Sequence, residues 1–375
     1  MLSYSPEGLA HDVFKQLSLF LKPDSHLYIA FSGGLDSTCL LHIISEYVQI
    51  YPSYQLTAIH IDHGLHDDSS TWLDHCRKQA ALLNVDFISR HVQVSRQKKG
   101  LESAARDARW AAFCDIVASD QCAVLLLGHH ADDQVETFLL RSLRGSGVSG
   151  ISSMSYSSTY AGIPVFRPLI FIQKSQLLHW AKSRSLTFVT DSSNDDNQFD
   201  RNYLRNIVIP KITERWPRAI SAISQTIQHT QSDWQHLIAY AEQIMLPLFQ
   251  SRFGVTCFDR SKFNLLSFEI KTLVLRVYLI KQGWYVPSCR KLSCFIEQLL
   301  SCKQGAQSEL RTDDYRMLLY ADDVFIFPSD WFSVPPDDFV VTPSVSMCDV
   351  LVPNPIYFLI DWSSKAIPQQ GPYEI

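Results

Sequence analysis

Apolar positions set the first expectations. Leu9, Val13, Phe14, Leu17, Phe20 and Leu21 recur at helical spacing over residues 6–21, so an amphipathic helix precedes the first strand. The short apolar run Tyr28–Phe31 reads as a buried strand. It breaks at Gly33-Gly34 and resumes with helical spacing through Cys39, Leu40, Leu41, Ile43 and Ile44. The alternation continues with strands at Leu56–Asp62, Val85–His91 and Ala123–Leu127. Between and after them lie helices at Trp72–Leu83, Leu101–Ser119 and from Ala131 to about Leu143. This rhythm predicts an α/β fold with a doubly wound parallel sheet, whose ligands sit at the carboxyl ends of the strands. Residues Arg144–Gly150, rich in Gly and Ser, are expected to form a mobile loop over the site. A helix near Lys174–Arg184 and a strand at Thr187–Val189 would close this first domain, taken as residues 1–216.

From 217 the pattern becomes helical. Ile220, Ile223, Ile227, Trp234, Leu237, Ile238, Ala241 and Ile244 line one face of a long helix over 217–247. Two more helices follow near Phe268–Gln282 and Ser288–Leu300. A hairpin with strands Tyr315–Tyr320 and Val324–Phe327, joined by Ala321-Asp322-Asp323, ends a mostly helical second domain at about 330. Residues 331–375 form a C-terminal tail or small domain remnant, short of assignable pattern.

Composition narrows the class. The 375 residues are 46% hydrophobic and 19% charged, as in a globular protein, and no apolar run has membrane-spanning length. Glu7, Asp12 and Lys15 near the start argue against a secretory signal. Nine cysteines with no Cys-x-x-Cys pair argue for reduced thiols in a cytoplasm rather than a disulfide frame or zinc site. The net charge of −5 offers nucleic acid no general attraction, so an RNA partner needs a local basic patch.

The candidate chemistry is concentrated at the strand ends. Ser32-Gly33-Gly34-Leu35-Asp36-Ser37 turns from strand to helix, aiming backbone N–H groups and the helix dipole at one point suited to phosphate. No Gly-Lys-Ser/Thr follows, and Asp36 inside the loop requires a bridging cation, which implies Mg²⁺. The loop resembles the Ser-Gly-Gly-x-Asp-Ser motif of the PP-loop ATP pyrophosphatases. They cleave ATP between the α and β phosphates and adenylate an oxygen. His60-Ile61-Asp62-His63-Gly64-Leu65 carries histidines and acids that could serve a metal. It also resembles the His-x-Asp-His-Gly-Leu segment that flanks adenosine, His60 included, in tRNA(Ile)-lysidine synthases.

Further segments extend that resemblance. On the helix at 101–110, Glu102 and Arg106 are spaced for an ion pair, and Arg109 shares the face of Arg106. The pattern is similar to the family's Glu-x-x-x-Arg-x-x-Arg-Tyr/Trp, which gives Arg109 a role at the ATP phosphates or the adenylate. Gly128-His129-His130-Ala131-Asp132-Asp133-Gln134-Val135-Glu136-Thr137 resembles the family's Gly-His-His motif. By that match His129 and Asp133 are catalytic, with Asp133 joining Asp36 on Mg²⁺ or orienting the nucleophile. Arg144-Gly145-Ser146-Gly147 fits the family's Arg-Gly-x-Gly loop. Asp191-Ser192-Ser193-Asn194 and Arg201-Asn202-Tyr203-Leu204-Arg205 fit its later segments. Arg201 and Arg205 open the densest basic run, with Lys211, Arg215 and Arg218, and are the candidates for tRNA backbone contact.

The resemblance spans about residues 28–218. It implies ATP-dependent ligation of free L-lysine to C2 of the wobble cytidine in a CAU-anticodon tRNA(Ile), through an adenylated cytidine, with ATP and Mg²⁺ required. It implies no membrane partner and leaves a homodimer open. The rival readings are a PP-loop tRNA thiolase of the 2-thiocytidine type, against which the scattered Cys39, Cys76, Cys114 and Cys122 count, and a non-catalytic ATP-dependent RNA-binding module.

Overall fold

The computed structural model describes residues 6–64, 69–93, 101–190, 195–252, 254–301, 308–320 and 322–332. The chain forms two compact units, Met1–Trp234 and Gln235–Ile375.

The first unit begins with α1 (Pro6–Phe20), β1 (His26–Ala30), α2 (Leu35–Ile50), β2 (Gln55–Asp62), α3 (Ser69–Leu82) and β3 (Asp86–His91). It continues with α4 (Leu101–Val117), β4 (Ala123–Leu126), α5 (Ala131–Leu143), α6 (Val148–Ile151), β5 (Ser157–Tyr160), β6 (Ile163–Phe166) and α7 (Lys174–Ser183). Its six strands run in the order β3-β2-β1-β4-β6-β5, all neighbours parallel except the antiparallel β5–β6 pair. Because β1 is central, both its faces are covered. Leu27, Ile29 and Phe31 enter one core with Leu9, Val13, Leu40, Ile44 and Trp180 of α1, α2 and α7. Tyr28 enters the other with Ile59, Leu125 and the α4 residues Trp110, Phe113 and Val117. That double burial is why β1 reads as an unbroken apolar run, each large aliphatic contributing about 1.5–3 kcal/mol.

The expected strand at Thr187–Val189 is not one. The segment is extended, and Val189 N–H donates to Gly33 O at 2.8 Å, but it joins no sheet. The sheet closes instead with the β5–β6 hairpin, whose turn residues Ala161 and Gly162 both have positive φ, 48° and 83°. Two-residue hairpins with this twist favour Asn-Gly or Asp-Gly, and Ala at the first position hid the turn from the sequence. The segment Arg144–Gly150 is likewise tied down. Arg141 NH1 donates to Gly150 O at 2.8 Å and to Ser153 O at 3.0 Å, and Val148–Ile151 is a helical turn.

Beyond α7 come α8 (Asp200–Tyr203), a π-helical turn (Leu204–Val208), α9 (Ile209–Arg215) and α10 (Ala219–Leu248), in which the two units divide. Pro210 has no N–H for the helical ladder, and the Ile209 N–H reaches back five residues to Leu204 O, which opens the π turn.

The second unit adds β7 (Phe249–Arg252), β8 (Val255–Asp259), α11 (Arg260–Asn264), α12 (Phe268–Lys281), α13 (Cys289–Ser301), β9 (Glu309–Arg311), β10 (Tyr315–Tyr320) and β11 (Asp323–Pro328). The strands form one antiparallel sheet in the order β7-β8-β11-β10-β9, so the expected hairpin is the centre of a larger sheet. Phe249, Phe258 and Phe263 pack in series on one face, and Val255, Cys257, Phe325 and Phe327 on the other.

At the amino ends of β1, β2 and β4, Asp120 ties three elements together. Its Oδ2 meets His26 Nδ1 at 2.8 Å and accepts from Tyr28 OH at 2.9 Å, while His26 Nε2 meets Thr57 Oγ1 at 2.8 Å. Burial alone would raise the Asp120 pKa, but the Cys122 N–H, Tyr28 and His26 outweigh it and lower it. A carboxylate with a lowered folded pKa stabilises above its unfolded value and loses that contribution as pH falls through the folded one. Asp120→Asn is therefore expected to cost about 1–2 kcal/mol at pH 7. The deficit should shrink as pH drops below about 4, read by urea unfolding of both proteins across that range.

Candidate active site

The loop Ser32–Ser37 joins the carboxyl end of β1 to α2, whose N-cap is Gly34. Gly33 adopts φ +81°, and a Cβ there would lie 2.9 Å from Cys76 Sγ and 3.3 Å from His75 Cδ2. Glycine is thus required twice, for backbone conformation and for packing on α3. The loop is braced from within. Ser37 Oγ donates to Gly34 O at 3.1 Å and lies 3.1 Å from Ser32 Oγ, and Ser32 Oγ accepts the Gly34 N–H at 3.4 Å. Thr38 Oγ1 donates to Gly33 O at 3.3 Å. Leu35 opens the helix and packs against the core.

A second strand end abuts this one. At Gly128 a Cβ would come within 3.3 Å of the Asp36 carbonyl carbon and the Ser37 nitrogen, so the turn after β4 lies directly on the loop backbone. The N-termini of α2 and α5 thereby face one region, and both dipoles favour anions there. Asp133, in the first turn of α5, accepts the His130 N–H at 3.0 Å, which fixes its carboxylate.

The acids converge on one imidazole. His130 Nε2 is 3.5 Å from Asp36 Oδ2 and 3.5 Å from Asp133 Oδ2, and its Nδ1 is 3.6 Å from Asp132 Oδ2. Burial opposes a charged ring, but Asp133, Asp132 and Asp36 prevail and push the His130 pKa up to about 10. The sequence pointed to His129. The ring that the structure puts between the carboxylates is its neighbour His130, which the sequence did not single out. His129 is held neutral: burial, with Arg167, Arg201 and Arg106, lowers it to about 3 against the pull of Asp133, and its Nδ1 is buried without a partner.

A divalent cation fits here. Asp36 Oδ1 is buried without a hydrogen-bond partner among the described residues, and Asp36 and Asp133 stand side by side, their Oδ2 atoms both 3.5 Å from His130 Nε2. No group of three or more His, Cys, Asp or Glu among the described residues could hold a metal alone, so a cation would complete its shell with phosphate oxygens, as Mg²⁺ commonly does.

Arg201 and Arg205 have a different occupation from a bare basic face. Both clasp Glu136, whose side chain is 1% exposed. Arg201 Nε donates at 2.9 Å to Oε2, and Arg205 donates at 2.6 Å to Oε1 and 2.9 Å to Oε2. Arg205 NH2 also reaches Asp133 Oδ1 at 3.4 Å. Their side chains stay 25% and 27% exposed. The π turn thus docks α8 onto α5, an arrangement the basic spacing alone did not reveal.

At β2 the structure brings His60 in only partly. It is buried, with Nδ1 2.9 Å from Phe31 O, joining the ends of β1 and β2. Asp62 accepts the Gly64 N–H at 2.8 Å and meets His91 at 3.2 Å. Arg109 is partly buried on α4, near enough to His63 that, after burial, its charge helps lower the His63 pKa. Leu65, the Glu102 side chain and Asp191–Asn194 lie outside the described residues.

The PP-loop domain family matches residues 9–212. The chain is 34% identical over 319 residues to the tRNA(Ile)-lysidine synthase of Serratia proteamaculans, covering 84% of this chain and 71% of that protein. It is 34% identical over 306 residues to that of Haemophilus influenzae, covering 80% and 69%. Among solved structures, the U34-tRNA thiolase NcsA of Methanococcus maripaludis aligns with a TM-score of 0.52 at 17% identity, over 60% of this chain and 79% of that one, a likeness of fold.

Three substitutions test the site's construction. Gly33→Ala should weaken nucleotide binding roughly tenfold or more, because both φ and Cys76 oppose the methyl group. Gly145→Ala, at φ +70° with open space around it, should cost about 1 kcal/mol of stability and leave binding intact. Nucleotide titration and thermal melts of both variants distinguish the two. Glu136→Gln should cost about 3 kcal/mol in denaturant unfolding, since two guanidinium groups lose their buried carboxylate.

Proposed function

The chain belongs to the tRNA(Ile)-lysidine synthases of the PP-loop family, and we propose the following division of their reaction among its residues. The enzyme ligates lysine to C2 of the wobble cytidine in a CAU-anticodon tRNA(Ile), through an adenylated cytidine, releasing pyrophosphate and AMP. The observation that carries the assignment of residues is the convergence of Asp36, from the glycine loop, and Asp133, from the first turn of α5, on His130 Nε2.

The N–H groups of Gly33, Gly34, Leu35 and Asp36, with the hydroxyls of Ser32 and Ser37, cradle the triphosphate, and Arg109 offsets its charge. Asp36 and Asp133 would hold Mg²⁺, which would supply positive charge to the phosphate oxygens. His60 shapes the adenosine side from beneath, through Phe31 O. The C2 oxygen of cytidine attacks the α-phosphate, which turns a poor leaving oxygen into a good one, and the lysine ε-amine then displaces AMP. Asp133 is the carboxylate that attracts the ε-ammonium, while Glu136, taken up by Arg201 and Arg205, holds those guanidinium groups in place. His129, neutral with an open Nδ1, is suited to hold the reacting group by a hydrogen bond rather than to take its proton.

An unpaired base splayed from the anticodon loop suits a site at strand ends. The exposed quarter of Arg201 and Arg205 is available to RNA phosphate. Residues 1–216 carry the chemistry and 217–330 grip the tRNA, with a homodimer the open assembly; the C-terminal tail or small domain remnant expected over 331–375 lies, past Phe332, outside the described residues. No helix among the described residues is long and apolar enough to cross a membrane. A thiolase reading would call on reactive cysteines, whereas Cys39 and Cys76 are buried in the first core and burial pushes both up to about 12.

With ATP, Mg²⁺, labelled lysine and CAU-bearing isoleucine tRNA, pyrophosphate release and label incorporation are expected together. Both should fall at least a hundredfold, about 2.7 kcal/mol in the transition state, in Asp36→Ala. Label should be absent with a wobble-U tRNA. Pyrophosphate release without label would transfer the assignment to the thiolase.

A further inference from the structure

Arg167 plays no part in the proposed chemistry, yet it stands at a strand end of the site. It follows β6 directly, and β6 lies parallel beside β4, whose own end carries His129 and His130. Its backbone is therefore about 10 Å, two strand spacings, from the glycine loop. The side chain is 8% exposed. Both of its hydrogen bonds run through NH1, to Ser155 O at 3.0 Å and Ser158 Oγ at 3.0 Å. Nε is fully buried and donates to nothing among the described residues. No carboxylate among the described residues pairs with it.

A buried guanidinium left half satisfied costs free energy unless something completes it. Its surroundings do not. The neighbouring charges are further cations: Arg106 lies one turn before Trp110 on α4, and its charge, after burial, helps lower Arg167 to about 10 and Arg141 as well. Beside them His129 Nδ1 is a second buried polar atom without a partner. Pinning the 150–158 segment explains the NH1 bonds of Arg167 but not the open Nε edge, nor the absence of a counter-charge.

We propose that the Nε edge of Arg167, with Arg106 and His129 beside it, binds an oxyanion of a substrate other than the triphosphate, either the α-carboxylate of lysine or a phosphodiester of the tRNA. The proposal rests on the lysidine synthase reading for the identity of those substrates. A guanidinium edge is planar and donates in parallel, which matches carboxylate and phosphate alike. A lysine anchored by its carboxylate at Arg167 would extend along the row of strand ends, toward the acids of α5.

The test is binding, read separately from turnover. Lysine and lysinamide are titrated into the full-length protein with a non-hydrolysable ATP analogue, and tRNA is bound by filter assay over a range of salt. If the carboxylate is the ligand, lysine binds roughly ten- to a hundredfold better than lysinamide, and Arg167→Gln removes that preference. If a phosphodiester is the ligand, Arg167→Gln leaves lysine binding alone, weakens tRNA binding and lowers the log–log salt slope by about 0.7–0.9. Ser158→Ala removes one NH1 partner and should change neither readout, whereas a merely structural Arg167 would make it resemble Arg167→Gln. Should Arg167→Gln fail to fold, Arg106→Gln, at an exposed position, takes its place in both titrations. Unchanged lysine preference and unchanged salt slope overturn the proposal. A wild-type protein that binds both substrates but transfers no label overturns the lysidine reading, and leaves the Arg167 result to stand by itself.

Discussion

Concentrated negative charge at the ends of β1 and β4 is the constraint around which the first unit is arranged. Asp36, Asp132, Asp133 and Glu136 occupy two adjoining helix starts, and Asp133 and Glu136 are out of water. Carboxylates so close are tolerated only if cations and N–H donors answer them. His130 answers three of them at once, and Arg201 and Arg205 answer Glu136 and Asp133 from a separate stretch of chain. The π turn before Pro210 belongs to the same arrangement, since α8 and the turn must lie against α5 for those guanidinium groups to reach. Positive partners supplied by the protein outweigh burial at Asp132 and Asp133 and hold both pKa values down before any substrate arrives.

Much of this was legible in the sequence, for identifiable reasons. The glycine loop, the alternating strands and helices, and the histidine–acid stretch after β4 are local signals, each readable within a dozen residues. What escaped depends on distance along the chain. The ring placed between the acids is His130 rather than His129, a choice made by the direction of two consecutive side chains at an N-cap, which no spacing encodes. Arg201 and Arg205 read as a basic face because Glu136, their partner, lies 65 and 69 residues earlier. The β5–β6 hairpin was hidden by an alanine in a left-handed turn. In the second unit, β7, β8 and β9 are too short to show alternation before they pair.

The edge hairpin also alters what the site can be. An α/β sheet that ended at β4 would leave its last strand end open to water. Here β6 extends the parallel row by one more carboxyl end, and β5 covers it antiparallel, with Tyr160 stacked on Trp110 of α4. The row of strand ends therefore runs from acidic at β1 and β4 to cationic at β6. A zwitterion meets opposite environments at its two ends along that row, and orientation of such a molecule follows from polarity before any shape is matched.

Gly128 sets the scale for all of this. Its hydrogen in place of a methyl group lets two strand-to-helix turns lie close together, where a Cβ would come within 3.3 Å of the Asp36 and Ser37 backbone. Mg²⁺ accepts oxygens only within about 0.1 Å of 2.0–2.1 Å. A side chain at 128 would act as a shim, parting the turns by a few tenths of an ångström, which exceeds that tolerance several times over. The residue with no side chain to contribute is thus the gauge block of the site, setting how closely the turn that leads to Asp133 approaches the backbone of Asp36.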